Sequence, residues 1–439
     1  MVLRLILSLI LGACCLSPAA QLPKSVEMAL SYFKHDQAAQ VWQLLIPKVQ
    51  QSLDRSSLKL AWTFNPLLGG APDSMGNPLP SIVPDRWIVP LVKGSKSCDL
   101  WLLNHPNGLA GLWIKPSDQS RNSPLPNYVN KAGLAQDTLH IEYKERAIHG
   151  ILSKPGNAPT RALVILVHGS GPGDENQSLG PNQMFRDLAL GLSSRKIACF
   201  RYEKVTRSHP DWFSGDFTSQ DEYIEPLHAL VAYFSQHPEY KTIPLFLAGH
   251  SHGGAMVPLY LDQYPKNPIK AWIGLAAPAQ PVLTILPMQM NYLAALDGEI
   301  SDSETRKLDW LKQRIQLLKS QGLSDSLFKT PKILGLPWAY WHQDLKSIPN
   351  HAAQRVKKPY LLLFGARDYQ VNQRQVKEWR RVKNLHNTPF EYFILEGLNH
   401  QLMPGIGRPE PKEYENPNHV AKEVIDLMSE FINKQLDSE

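Results

Sequence analysis

The chain has 439 residues, 46 of them basic and 40 acidic, for a net charge of +6. That length supports one large core and a second, smaller one, so two folded domains are expected. The charge is spread without a long basic run, which argues against a nucleic-acid partner, and the four cysteines show neither a disulfide framework nor zinc-ligand spacing.

Residues 1 to 20 carry a charge at Arg4, an apolar stretch from Leu5 to Leu11, and then small residues, the pattern of an export signal and too short for an ordinary membrane span. Leu11-Gly12-Ala13-Cys14 resembles the lipobox of bacterial lipoproteins, in which a lipidated cysteine becomes the mature N-terminus. Ser17-Pro18-Ala19 offers a rival cleavage site. The expectation is therefore an exported protein, either anchored to a membrane through Cys14 or free in the periplasm or medium.

From Leu22 to Leu60, Val26, Leu30, Phe33, Val41, Trp42, Leu45, Val49 and Leu53 recur at helical intervals, predicting two or three amphipathic helices. Between Trp62 and Ile114, short runs punctuated by Gly and Pro, such as 86–92, 98–103 and 109–114, read as strands and hairpins. Residues 21–115 thus form a small α+β domain, and the Pro-, Ser- and Asn-rich segment 116–132 suits a linker.

Beyond Gly133 strands and helices alternate. Strands are predicted at 138–143 and 147–152 as a paired edge, then at 161–167, 197–202, 243–248, 269–276, 358–364 and 390–395. Helices are predicted at 182–196, 221–236, 371–383 and 419–434, the third carrying a solvated basic face of Arg374, Lys377, Arg380, Arg381 and Lys383. Alternation of this kind gives a mostly parallel, doubly wound α/β sheet with its ligand crevice at the carboxyl ends of the strands. Residues from about 280 to 350 separate two sheet strands by more than one crossover needs. With a charged helix near 303–320 and the aromatic group Trp338, Tyr340 and Trp341, they read as a helical cap whose aromatic rings face substrate. Cys199 falls in a strand, as a buried unpaired thiol.

Gly249-His250-Ser251-His252-Gly253 lies between the strand at 243–248 and a helix-compatible stretch. A Gly-x-Ser-x-Gly turn in that context strains the serine backbone and exposes its hydroxyl, with the flanking glycines allowing the close bend. A serine needs a base, and the base needs an orienting acid. Asp368 directly follows one later strand and His400 another, so Ser251, Asp368 and His400 are the expected catalytic set. Asp368 could alternatively cap the next helix, and His400 could be a surface residue. His342, His351, His386 and His419 sit in cap, helical or pre-helical segments suited to exposed or capping roles, while His250 and His252 are too close in sequence to turn back on Ser251. The developing oxyanion needs two backbone amides, each worth ~3 kcal/mol. They are expected from His252 and from Ser170 in His168-Gly169-Ser170-Gly171-Pro172-Gly173. That loop lacks the Gly-Lys-Ser/Thr ending of a phosphate loop, and Asp174 and Glu175 would repel phosphate.

Together these motifs, with Gly180-Pro181-Asn182, Phe185-Arg186-Asp187-Leu188-Ala189 and Arg201-Tyr202, make residues 138–435 resemble the α/β-hydrolase fold, close to bacterial serine esterases with a His-Gly-Ser-Gly-Pro loop. Residues 22–115 resemble a small cone-shaped α+β module found ahead of such enzymes. The sequence departs from the pattern at Glu203, where relatives tend to have Asp, and in the partial match of Asp174-Glu175-Asn176. The resemblance implies a serine hydrolase acting on a small-molecule carboxylic ester, without metal or organic cofactor. Alternatives are a serine peptidase of prolyl-oligopeptidase type, a non-catalytic hydrolase-like binding module, and a cell-envelope binding factor acting through the first domain.

Overall fold

The computed structural model describes residues 22–51, 55–63, 68, 70–81, 83–94, 96–116, 123–213, 215–323, 332–383 and 390–437. The expected export signal with Cys14, and His386, lie outside these. The chain divides into two units, Met1–Asp118 and Gln119–Glu439.

In the first unit, helices Lys24–Lys34 and Arg55–Thr63 accompany an antiparallel sheet of Ser74–Met75, Leu79–Pro80, Arg86–Lys93, Lys96–His105 and Gly108–Pro116. Val26, Ala29, Leu30 and Phe33 fall on one face of the first helix and pack with Trp62, Val89, Leu100 and Leu102, as the three- and four-residue spacing requires. Cys98 is buried in this core.

The second unit is built on eight strands: β1 (Leu134–Tyr143), β2 (Arg146–Pro155), β3 (Ala162–Val167), β4 (Ile197–Tyr202), β5 (Leu245–His250), β6 (Ile269–Leu275), β7 (Tyr360–Gly365) and β8 (Phe390–Leu395). Their order across the sheet is 1-2-4-3-5-6-7-8, antiparallel over the first three and parallel from β4 to β8. This is the α/β-hydrolase arrangement that the sequence implied. Only β1 is an edge. The expected edge strand at 147–152 is interior, because β2 pairs with β1 on one side and β4 on the other.

The run Ala162–Val167 is buried throughout and shows how period two divides two cores. Leu163, Ile165 and Val167 pack with helices α2 (Glu225–Gln236), α3 (His252–Gln263) and α8 (Gln373–Lys383), while Ala162, Val164 and Leu166 pack with α1 (Met184–Ser193) and α9 (Lys422–Leu436). Free Cys199 on β4 belongs to the second core. Helix α1 begins two residues later than expected, because Asn182–Gln183 pair with Ser178–Leu179 in a short hairpin and Asn182 Nδ2 donates to the Tyr414 carbonyl at 3.0 Å. The segment expected to be a free linker is pinned from Ser123 onward: Arg186 donates to the carbonyls of Ser123 and Pro124, and Tyr128 donates to that of Val420.

Between β6 and β7 the chain forms α4 (Val282–Ala294), α5 (Asp302–Gln321), α6 (Trp338–Lys346) and α7 (Pro349–Arg355). Helix α5 starts with a reciprocal cap, Ser301 accepting from the Glu304 amide while the Glu304 carboxylate accepts from the Ser301 amide. Leu283, Leu286, Leu311, Ile315, Leu318 and Ile333 give this cap an apolar core.

Candidate active site

Ser251 stands between β5 and α3 with φ 53° and ψ −124°, a strained backbone for a residue with a side chain. Its amide donates to the Leu275 carbonyl at 2.8 Å, tying the bend to β6. A methyl group on Gly253 would come within 2.2 Å of the His168 carbonyl oxygen, and one on Gly249 within 2.5 Å of the Gly253 backbone, so both flanking glycines are required by close approach.

The loops after β7 and β8 meet at this bend. His400 Nε2 lies 3.0 Å from Ser251 Oγ, and His400 Nδ1 lies 2.7 Å from Asp368 Oδ2. The other Asp368 oxygen accepts the amides of Gln370 and Val371 at 2.7 and 2.9 Å. The carboxylate organises its own turn with one oxygen and faces the imidazole with the other; it does not cap the next helix, which begins at Gln373 and where Asn372 Oδ1 accepts the Arg374 amide. His400 and Asp368 are buried, while Ser251 is half-buried. This arrangement can deprotonate the serine and hold the resulting imidazolium.

Ser170 is exposed in the loop after β3, and His252 opens α3, where its N–H has no helical acceptor. Among the described residues neither amide has a hydrogen-bond partner. The neighbouring Gly169 amide is occupied, donating to Gln177 Oε1 at 2.8 Å. Gln177 Nε2 in turn donates to His250 Nδ1, and His250 Nε2 donates to the His400 carbonyl. His250 thus packs beside the serine, as expected, and links the loops on its two sides. Sequence reasoning missed this use of Gln177, whose positive φ of 48° gives no signal along the chain.

Burial sets the protonation of the surrounding histidines. It pushes His168, His250 and His252 down to about 3, with Lys204 adding to the effect on His168 and His252 and His400 to that on His250. All three are neutral near pH 7. Burial pushes Asp344 and Glu175 the other way, up to about 7. Asp344 accepts the first amides of α4, from Val282 and Leu283, and lies 3.8 Å from His252 Nε2.

The cap aromatics require a correction. Trp338, Tyr340 and Trp341 are only 1–2% exposed and belong to the cap's own core, because a helical insertion needs an apolar centre before it can offer a surface. Trp341 Nε1 donates to the Ile333 carbonyl, and the Tyr340 hydroxyl donates to Glu222 Oε2, ahead of α2, at 2.7 Å.

Among the described residues no group of three or more His, Cys, Asp or Glu side chains could hold a metal ion, and no helix is long and apolar enough to cross a membrane.

Residues 158–404, more than half of the chain, match the Hydrolase_4 family model, described as serine aminopeptidase, S33. Esterase EstD of Thermotoga maritima is 29% identical over 334 residues, covering 74% of this chain and 74% of that protein. Est1E from Butyrivibrio proteoclasticus is 17% identical, with 68% of this chain and 98% of that structure covered at a TM-score of 0.44. A thermostable carboxyl esterase from Bacillus coagulans is 16% identical, with 69% and 99% covered at a TM-score of 0.45.

Proposed function

Since the chain belongs to the Hydrolase_4 family, we propose that it is a serine hydrolase of carboxylic esters acting through an acyl-enzyme. The observation that carries this reading is the hydrogen-bonded series Ser251, His400, Asp368 at the ends of parallel strands. Ser251 Oγ attacks the ester carbonyl while His400 Nε2 takes its proton, and Asp368 holds the imidazole with Nδ1–H toward the carboxylate. The amides of Ser170 and His252 receive the oxyanion. As the tetrahedral intermediate collapses, His400 returns the proton to the departing alcohol. A water activated by the same imidazole then attacks the acyl-serine, and Ser251 leaves with the proton restored while the acid departs.

The similarity to an esterase supports the ester as substrate, whereas the family description favours an amide at the peptide N-terminus. Hydrolysis of p-nitrophenyl esters of graded acyl length, measured beside aminoacyl p-nitroanilides, separates the two. Ester turnover exceeding anilide turnover by at least about 100-fold, some 3 kcal/mol of transition-state discrimination, is expected. Comparable rates would make the protein an aminopeptidase. We further propose that residues 1–20 direct export, with the mature N-terminus either at lipidated Cys14 or at Ala20. Mass spectrometry of the mature protein decides between them, and retention of the intact leader would refute both.

A further inference from the structure

Behind the loop that carries Ser170 lies a buried ionic cluster. Lys204, the second residue after β4, is 1% exposed in its side chain, and its ammonium lies 2.6 Å from Glu222 Oε1. That ammonium also donates to the carbonyls of Gly169 at 3.0 Å and Gly171 at 3.1 Å and to the Tyr223 hydroxyl at 2.7 Å. The Tyr223 hydroxyl donates in turn to the same Gly169 oxygen at 2.9 Å. Two donors therefore converge on one carbonyl, and the lysine grips the carbonyls on both sides of Ser170.

The peptide joining Gly169 to Ser170 is planar and trans, and the structure contains no cis bonds among its described residues. In such a unit the N–H points opposite to the C=O. Drawing the Gly169 oxygen inward to Lys204 and Tyr223 consequently turns the Ser170 N–H outward, on the loop whose Gly169 would place an added methyl 3.4 Å from Ser251 Cβ. Gln177 fixes the other end of Gly169 by accepting its amide. A cationic donor on the carbonyl also polarises the peptide and strengthens its N–H as a donor.

A buried lysine is costly unless it is paired and its protons are used. Here Glu222 supplies the charge, and Gly169, Gly171 and Tyr223 supply oxygens. Glu222 and Tyr223 sit on the single π-turn Gln220–Ile224 ahead of α2, a local widening of the kind often found at functional sites. The remaining Glu222 oxygen accepts from Tyr340 of the cap.

We propose that Lys204 and Tyr223 are positioning residues that aim the Ser170 amide at the developing oxyanion, with Glu222 and Tyr340 tying that clamp to the cap. The proposal rests on the serine-hydrolase reading of Ser251, and its test keeps the two apart. Lys204 and Tyr223 touch no reacting atom, so their loss acts on the transition state and leaves substrate affinity nearly alone.

The test compares p-nitrophenyl acetate with its thionoester analogue, in which sulfur replaces the carbonyl oxygen. Sulfur is a poor hydrogen-bond acceptor, so a well-aimed amide favours the oxygen ester, and a misaimed one loses that preference. Tyr223→Phe is expected to lower kcat by about 10-fold with KM within twofold, and to reduce the oxygen-to-sulfur rate ratio, since one of two donors to the Gly169 carbonyl is gone. Lys204→Met combined with Glu222→Gln, which avoids stranding a buried carboxylate, is expected to lower kcat by about 100-fold with a larger fall in the ratio. Should the double variant fail to fold, Tyr223→Phe carries the test alone. A folded Tyr223→Phe protein with the wild-type ratio overturns the proposal, whether or not its kcat falls. Fluorophosphonate labelling of the wild type is run alongside: absence of labelling at Ser251 refutes the parent reading, whereas labelled wild type with unmoved ratios refutes the clamp only.

Discussion

On one side of Ser251 the supporting groups stand on loops that directly follow β7 and β8; on the other, the loop after β3 is held by side chains gathered from beyond β4, from the turn before α2 and from the cap. The first side uses backbone: Asp368 is fixed by the amides of Gln370 and Val371, and His400 by Asp368 and by its carbonyl bond from His250. The second uses a buried ion pair, Lys204 with Glu222, whose other bonds run to carbonyls and tyrosine hydroxyls. A reacting group must keep its own chemistry free and is oriented by one strong partner, whereas a backbone amide has no side chain of its own to orient it and needs its whole peptide gripped from behind.

The comparison breaks most sharply at the acid. Asp368→Asn keeps the shape but presents the imidazole with the wrong tautomer, and kcat should fall by about 10⁴-fold while the fold persists. A fall of less than tenfold in steady-state ester hydrolysis would mean that His400 is oriented by something else.

The next largest effect is on the cap. Trp341 lies in the apolar core of the helical insertion, so Trp341→Ala should cost ~3–5 kcal/mol in urea unfolding. If the ring faced substrate instead, stability would hold and the preferred acyl length would shift.

The legibility of the two sides differed in the same way. Ser251, Asp368 and His400 were readable because each belongs to a short motif at a strand end, where position along the chain fixes position in the crevice. Alternation marked the eight strands and the mostly parallel sheet, but neither their order nor the interior place of β2, since hairpin periodicity looks alike whether a third strand joins or not. Lys204 gives no such signal, because a lysine after a strand reads as solvated, and only the fold brings Glu222 to it from 18 residues away and Tyr340 to Glu222 from the cap. The spacing of the cap aromatics marks a helix face without saying what covers it.

The narrowest expected effect, confined to one pH window, concerns stability. Burial raises Asp344 from its ordinary 3.8 to about 7, so the folded protein binds that proton more tightly than the unfolded chain. Its contribution is fully present below pH 3.8 and is lost as the pH rises through 7. His168, His250 and His252 act oppositely, contributing above pH 6.5 and losing that contribution toward pH 3, but they are common to wild type and variant. Asp344→Asn should therefore gain in Tm relative to wild type as pH rises from 4 to 7, and then hold level. A difference that stays constant across that window would show the carboxyl to be ionised throughout.

The central claim, that Ser251 is the nucleophile which His400 and Asp368 serve, is tested most directly by fluorophosphonate labelling followed by peptide mapping. The account predicts a single modified peptide carrying the phosphonyl group on Ser251, with neither labelling nor ester hydrolysis in a folded Ser251→Ala protein. Phosphonylation at another residue, or wild-type ester turnover by Ser251→Ala, would contradict it.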